Sequence, residues 1–237
     1  MRTYWNTLVL VAVALVAGCT THSVCNRCRS RLPPSHYEAL QAAGCRVITL
    51  DDLTASLPES PLVVGFDVDD TVLFSSPGFY YAATNTDGAD GSSLFEQSPQ
   101  GTNAFWDALN TKLDGFSIPK VIARKLMTLH RARGDEIHFI TARPCPSGDT
   151  APLTKRLNQV FGLANQHPVI FTHRSGKTSV FQEKRIQIFY GDSDREIKDA
   201  MAIGIRAIRV VRSPLSTNPS ATHDGAFGEE VLFESDH

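Results

Sequence analysis

Three carboxylates, Asp67, Asp69 and Asp70, crowd the end of the apolar run Leu62 to Phe66. Charges at the edge of a core are costly unless a cation or a polar partner compensates them, so this point in the chain calls for a cationic group. In an extended segment Asp67 and Asp69 project to the same side, about 6.6 Å apart along the chain, while Val68 points back into the packing. That spacing puts two carboxylates around one substrate, and Asp70 or Thr71 suits a helix-capping role. Polar groups recur after later apolar runs: Thr141 follows Phe139-Ile140, and Asp192 and Asp194 follow Ile188-Phe189-Tyr190. Taken singly, Thr141 fits a helix N-cap, Lys177 a solvated lysine and Arg143 a surface salt bridge.

The elements that must position these residues alternate. Strand-length apolar runs at Leu62 to Phe66, Glu136 to Thr141, Val169 to Thr172, Ile186 to Tyr190 and Ala207 to Val211 are separated by helical stretches. Those stretches run over Pro119 to Arg133, Thr154 to Phe161, Thr178 to Lys184 and Ser193 to Ile203, several with apolar residues at helical spacing. This order predicts an α/β, Rossmann-like parallel sheet with helices on both faces, in which ligands sit beyond the carboxyl ends of the strands. Arg46 to Leu50 reads as a further short strand, followed by a brief helix that ends before Pro58. Ser75 to Phe116, rich in Gly, Ser, Asn and aromatics, breaks the alternation and reads as a small lid inserted after the first catalytic strand. Phe79, Tyr80 and Trp106 within it could stack an aromatic group or pack a core.

The 237 residues carry 23 Lys+Arg against 25 Asp+Glu and are 42% hydrophobic, which excludes a disordered chain and a polytopic membrane protein. A net charge of -2 gives no support for binding a nucleic acid polymer. Met1-Arg2, the apolar run Leu8 to Ala17 and the ending Val16-Ala17-Gly18-Cys19 form an export signal that resembles a bacterial lipoprotein signal. The expected organisation is a signal peptide over 1–18, lipid on Cys19, a tether over 19–45 and one domain over 46–237, with the lid at 75–116. Export leaves Cys25, Cys28, Cys45 and Cys145 where disulfides can form, with connectivity open. Cys25-x-x-Cys28 stands alone and reads as structural or idle. None of the eight histidines forms a spaced metal-binding pair, so His130, His138, His167 and His173 read as surface or packing residues.

Val64 to Tyr80, with its core Phe-Asp-Val-Asp-Asp-Thr, resembles the first motif of the haloacid-dehalogenase-like phosphohydrolases, and in particular of the bacterial class B non-specific acid phosphatases. The resemblance extends through Phe139 to Arg143, Pro168 to Phe171, Ile188 to Asp194 and Gly225 to Val231. It implies that Asp67 is a nucleophile forming an aspartyl-phosphate and that Asp69 is the general acid and base, with an acidic optimum. It further implies that the Thr141 hydroxyl, the Ala142 amide and Lys177 hold phosphate. Mg2+ is the implied cofactor, on an Asp67 oxygen, the Asp69 carbonyl and Asp192, with Asp194 and Glu196 as outer groups. Class B enzymes usually have Gly where this chain has Ala142, and the segment before Lys177 is shorter than the family pattern. Substrates would be small phosphomonoesters such as nucleotides, and the assembly a homotetramer to which the tail from Gly225 to Phe233 contributes. The expected location is the periplasmic side of a bacterial membrane: Thr20 after Cys19 leans toward an outer-membrane lipoprotein, with a soluble periplasmic form as the alternative. Two other activities stay open on these residues: phosphotransfer from the same intermediate to an alcohol, and a non-catalytic lipoprotein that binds phosphate esters.

Overall fold

The computed structural model describes residues 35–84, 103–163 and 167–237. The proposed signal peptide, the Cys19 anchor, the Cys25 and Cys28 pair and the middle of the proposed lid lie outside the described residues. Among those described, Cys45 and Cys145 are free thiols, and no helix is long and apolar enough to cross a membrane.

Seven strands form one parallel sheet in the order β1-β9-β8-β7-β2-β5-β6. They are β1 (Arg46–Ile48), β2 (Val63–Phe66), β5 (Glu136–Thr141), β6 (Ile170–Phe171), β7 (Ile188–Gly191), β8 (Arg206–Val210) and β9 (Glu230–Leu232). A separate antiparallel pair, β3 (Leu73–Phe74) with β4 (Ile118–Pro119), closes the base of the insertion. The helices are α1 (His36–Ala42), α2 (Leu50–Ser56), α3 (Ser76–Thr84), α4 (Asn103–Thr111), α5 (Val121–Arg133), α6 (Ala151–Phe161), α7 (Thr178–Glu183) and α8 (Asp194–Met201). The α/β Rossmann-like class expected from the alternation is the class observed.

Alternation along the strands explains the two cores. Val64 and Phe66 of β2 pack with Ile137 and Phe139 of β5, Tyr190 of β7, and Leu126 and Met127 of α5 on one face. Ile140, Phe189, Phe181 and Ile197 fill the other. A third, smaller cluster of Phe79, Phe105, Leu109 and Leu113 belongs to the insertion, which is therefore helical with a core of its own where described.

One reading of the sequence needs correction. The tether drawn over 19–45 ends in folded structure: Ser35 caps α1 reciprocally with Glu38. Tyr37 of α1 is buried, with its hydroxyl bonded to Asp236 and to the Ser235 amide, both at 2.8 Å. The tail from Gly225 to Phe233 supplies β9, paired between β1 and β8 with all three strand residues buried, while Phe233 beyond it is exposed.

Candidate active site

β2 and β7 are neighbours, with Phe66 paired to Tyr190, so the chain leaves both strands at the same end of the sheet. Asp67 follows β2 and Asp192 follows β7. The Asp67 amide still donates to the Tyr190 carbonyl at 2.9 Å. After Asp67 the chain turns sharply through Asp70, which adopts a left-handed φ of 58°. Buried Lys120 fixes that turn by donating to the carbonyls of Asp70 and Val211 at 2.9 and 2.7 Å.

A cleft of about 830 Å³ opens at this end, lined by Asp67, Asp69, Ala142, Lys177, Asp192 and Glu196, with Phe79 and Trp106 of the insertion on its wall. Phe79 meets the Trp106 ring edge to face, centroids 6.0 Å apart. Tyr80, expected beside them, is 68% exposed and does not line the cleft.

Lys177 stands at the N-cap position of α7, and its side chain is spent on the carboxylates rather than on capping the helix. Its Nζ donates to Asp67 Oδ1 at 2.6 Å and pairs with Glu196 Oε1 at 2.5 Å. Burial pulls its pKa down, but Asp67 and Glu196 outweigh burial and hold it above the ordinary lysine value, so it stays charged. The short segment before it is built from two successive left-handed residues, His173 and Arg174. It is tied to the end of β5 by Thr172 N–H to Thr141 O and Arg174 N–H to Ala142 O, at 2.9 and 2.8 Å. A shorter loop thus still delivers the lysine.

Burial, and then the charge of Glu196, push Asp67 well above the ordinary carboxylate range against the pull of Lys177. Burial raises Asp192 to about 7, with Glu196 and Asp70 adding to the rise and Arg212 opposing it. Arg212 Nε donates to Asp192 Oδ2 at 2.6 Å. The Thr71 hydroxyl sits between Asp67 Oδ2 and Asp192 Oδ1, 3.3 and 3.4 Å away.

Oxygens of Asp67, Asp192 and Glu196 all lie within 4.8 Å of one another, a group that could hold a metal ion. Glu196 Oε2 is buried with no hydrogen-bond partner. Crowded carboxylates, of which Asp67 and Asp192 have raised pKa values and Glu196 has an orphaned oxygen, fit a hard divalent cation that would bond the orphan and hold the group ionised. Glu196, expected as an outer group, has its carboxylate inside this cluster. It fits because Gly191 has no side chain: a Cβ there would stand 3.1 Å from Glu196 Oε2 and 2.7 Å from the Phe189 ring.

Asp69 faces the other way. Arg143 grips it with both fork arms, Nε to Oδ2 at 2.8 Å and Nη2 to Oδ1 at 2.7 Å. The same guanidinium donates to Asp114 Oδ2 at 2.5 Å and to Asn110 Oδ1 at 2.9 Å. Burial raises the Asp69 pKa, but the charge and hydrogen bonds of Arg143 outweigh it and hold the carboxyl below its ordinary range. Arg143 is 1% exposed, which removes the surface salt bridge as an explanation. Thr141 is also buried, its hydroxyl accepting from the Arg143 amide at 3.2 Å, while Ala142 lines the cleft.

Arg212, Asp114 and Asn110 escaped the sequence reading. Arg212 had a signal, being the first basic residue past the run Ala207 to Val211 and hence at the ligand end of the sheet. Asp114 and Asn110 had none, because tertiary packing of the insertion brings them to Arg143.

Residues 35–217 match the family described as HAD superfamily, subfamily IIIB (acid phosphatase). The class B acid phosphatase of Edwardsiella ictaluri is 37% identical over 236 residues, covering 97% of this chain and 95% of its own. That of Salmonella typhimurium is 44% identical over 181 residues, 75% of this chain and 74% of its own. The class B acid phosphatase of Enterobacter sp. is 36% identical over 240 residues, covering 96% and 99%.

Proposed function

This chain belongs to subfamily IIIB of the HAD superfamily, the acid phosphatases, and from that membership we propose that it is a Mg2+-dependent, exported enzyme working through an aspartyl-phosphate on Asp67. The observation that carries the reading is the division of labour between two carboxylates two residues apart: Asp67 held by Lys177 inside the acidic cluster, Asp69 held by Arg143 outside it. That division supports attack by Asp67 and proton transfer by Asp69.

In the first half-reaction an Asp67 oxygen attacks phosphorus as the bond to the ester oxygen breaks, and Asp69 gives its proton to the departing alkoxide. In the second, water attacks the same phosphorus, Asp69 takes up a proton, and the Asp67 carboxylate leaves with inorganic phosphate free. Lys177, with the Thr141 hydroxyl and Ala142 amide, would bear the phosphoryl oxygens. Mg2+ on Asp67, Asp192, Glu196 and the Asp69 carbonyl would supply charge neutralisation for an anion approaching an anion. Because Asp69 must carry a proton for the first step and Arg143 opposes that proton, the reaction should run best in acid.

Phe79 and Trp106 on the wall suit a base or aryl leaving group, which supports nucleotides among the substrates. The phosphoryl group can also pass to an alcohol that reaches the intermediate, and product partition with added glycerol measures that share. The export reading carries with it lipid on Cys19 and a place on the periplasmic side of the membrane; labelled palmitate lost in Cys19→Ser would support it, and retained label would refute it. A homotetramer is proposed from the family resemblance, with light scattering on the protein lacking residues 1–19 as its check.

The activity test is phosphate release from p-nitrophenyl phosphate at acidic pH with Mg2+. Asp67→Asn should lower kcat by at least about 10³-fold. Equal turnover by wild type and variant refutes the assignment, whereas no turnover by the wild type together with tight phosphate-ester binding by calorimetry revives the non-catalytic alternative.

A further inference from the structure

A second convergence of ligand-bearing side chains lies at the opposite end of β5, roughly 16 Å along the strand from Thr141. Glu136 opens the strand and His138 follows two residues later, so both project from the same face. The chain leading into β6 brings His167 beside them. The Nε2 atoms of His138 and His167 lie 2.8 and 3.0 Å from the same oxygen, Oε1 of Glu136. The two imidazoles are stacked, with centroids 4.5 Å apart and planes 19° from parallel. One ligand atom from each of the three residues lies within 4.8 Å of the others.

We propose that Glu136, His138 and His167 form a Zn2+ site separate from the catalytic cleft. Two imidazoles and one carboxylate make a nitrogen-rich set that suits a borderline-soft ion, in contrast to the all-oxygen cluster of Asp67, Asp192 and Glu196. His138 is 3% exposed, whereas the side chains of Glu136 and His167 are 48% and 52% exposed, so the site is anchored on the sheet and open to water on one side for a fourth ligand. To bind, each imidazole offers the Nε2 lone pair with its proton carried on Nδ1. At His138 this tautomer puts the proton on Nδ1, which is buried with no hydrogen-bond partner, so the metal bond must offset that orphaned N–H as well as the lost bond to Glu136. Lys184, whose charge reaches His138, is paired with Glu183 at 2.8 Å. The ion would fasten the approach to edge strand β6 onto β5, and so add stability without touching the cleft.

The test uses untagged protein, stripped with chelator and kept in excess Mg2+ so that the acidic cluster is occupied, then titrated with Zn2+ by calorimetry and with Co2+ by visible absorption. The expected result is one equivalent of Zn2+ bound, with Co2+ giving the d–d bands of a low-coordinate nitrogen and oxygen site. His167→Ala should weaken Zn2+ binding by more than about 100-fold and abolish the bands, while Mg2+-dependent phosphate release stays unchanged. Because His167 is half exposed, that variant keeps the test independent of any folding defect in His138→Ala. No Zn2+ binding in excess Mg2+, or undiminished binding by His167→Ala, overturns the proposal.

Discussion

Arg143 is fully buried and divides its guanidinium between Asp69 and the pair Asp114 and Asn110 of the insertion. The fork fixes the Asp69 carboxyl in one orientation, which matters most when the leaving oxygen needs a proton. Arg143→Ala should therefore lower kcat for an alkyl phosphate by about 10²-fold while p-nitrophenyl phosphate, whose leaving group departs without much help, falls far less. An equal loss for both substrates would mean that Arg143 binds phosphate rather than positioning the acid. Asp67 and Asp69 were legible from sequence because three charges at the end of an apolar run need an explanation. Arg143 was legible as a candidate but not in its role, since nothing in the chain around it indicates that Asp114, twenty-nine positions earlier, takes its other arm.

At the level of elements, β7 ends on Gly191 so that the first turn of α8 can fold Glu196 back into the acidic cluster. Gly191→Ala should displace that carboxylate, raising the Mg2+ concentration needed for half-maximal activity by roughly tenfold with a smaller change in kcat at saturating Mg2+. An unchanged Mg2+ requirement would show that Glu196 does not serve the ion. The strands and the helices between them were readable from apolar runs broken by helical spacing, to within a few residues at each end. What escaped was short or tertiary. β9 is three residues long, too brief for a period to register. In the insertion, Phe105 and Leu109 of α4 sit one helical turn apart, but Ser, Asn and Gly around them masked the pattern. His138 and His167 meet only because β5 and the approach to β6 run side by side.

Across the whole molecule, a buried network links the sheet's entry side to the helix that precedes β5. His130 at the end of α5 bonds Asp135 through Nδ1 at 2.7 Å and the Tyr190 hydroxyl through Nε2 at 2.9 Å, and Asp135 also accepts the Leu62 amide at 2.7 Å. Burial holds His130 below its ordinary 6.5 despite the pull of Asp135. For Asp135, burial raises the pKa, but the bonds from His130, Leu62 and Arg133 bring it below its ordinary 3.8. Both groups bind protons less readily in the fold than in the open chain, so their stabilisation is full above the unfolded values and fades as pH falls through the folded ones. The His130 share begins to go below 6.5 and the Asp135 share below 3.8. Urea midpoints should drop between about pH 7 and about pH 5, and His130→Asn, though less stable at both, should show a shallower drop. An identical drop would place the sensitivity elsewhere. Leu62, His130 and Asp135 of the network lie at the entry ends of β2 and β5, away from the cleft at the carboxyl ends. The proposed mechanism rests on one acceptor atom, and the most direct test is to quench the full-length enzyme during turnover of a phosphomonoester, reduce with borohydride and map the product by mass spectrometry. The account predicts homoserine at position 67, formed by reduction of an aspartyl-phosphate. Continued turnover with position 67 recovered only as aspartate, or with the reduced residue elsewhere, would contradict it.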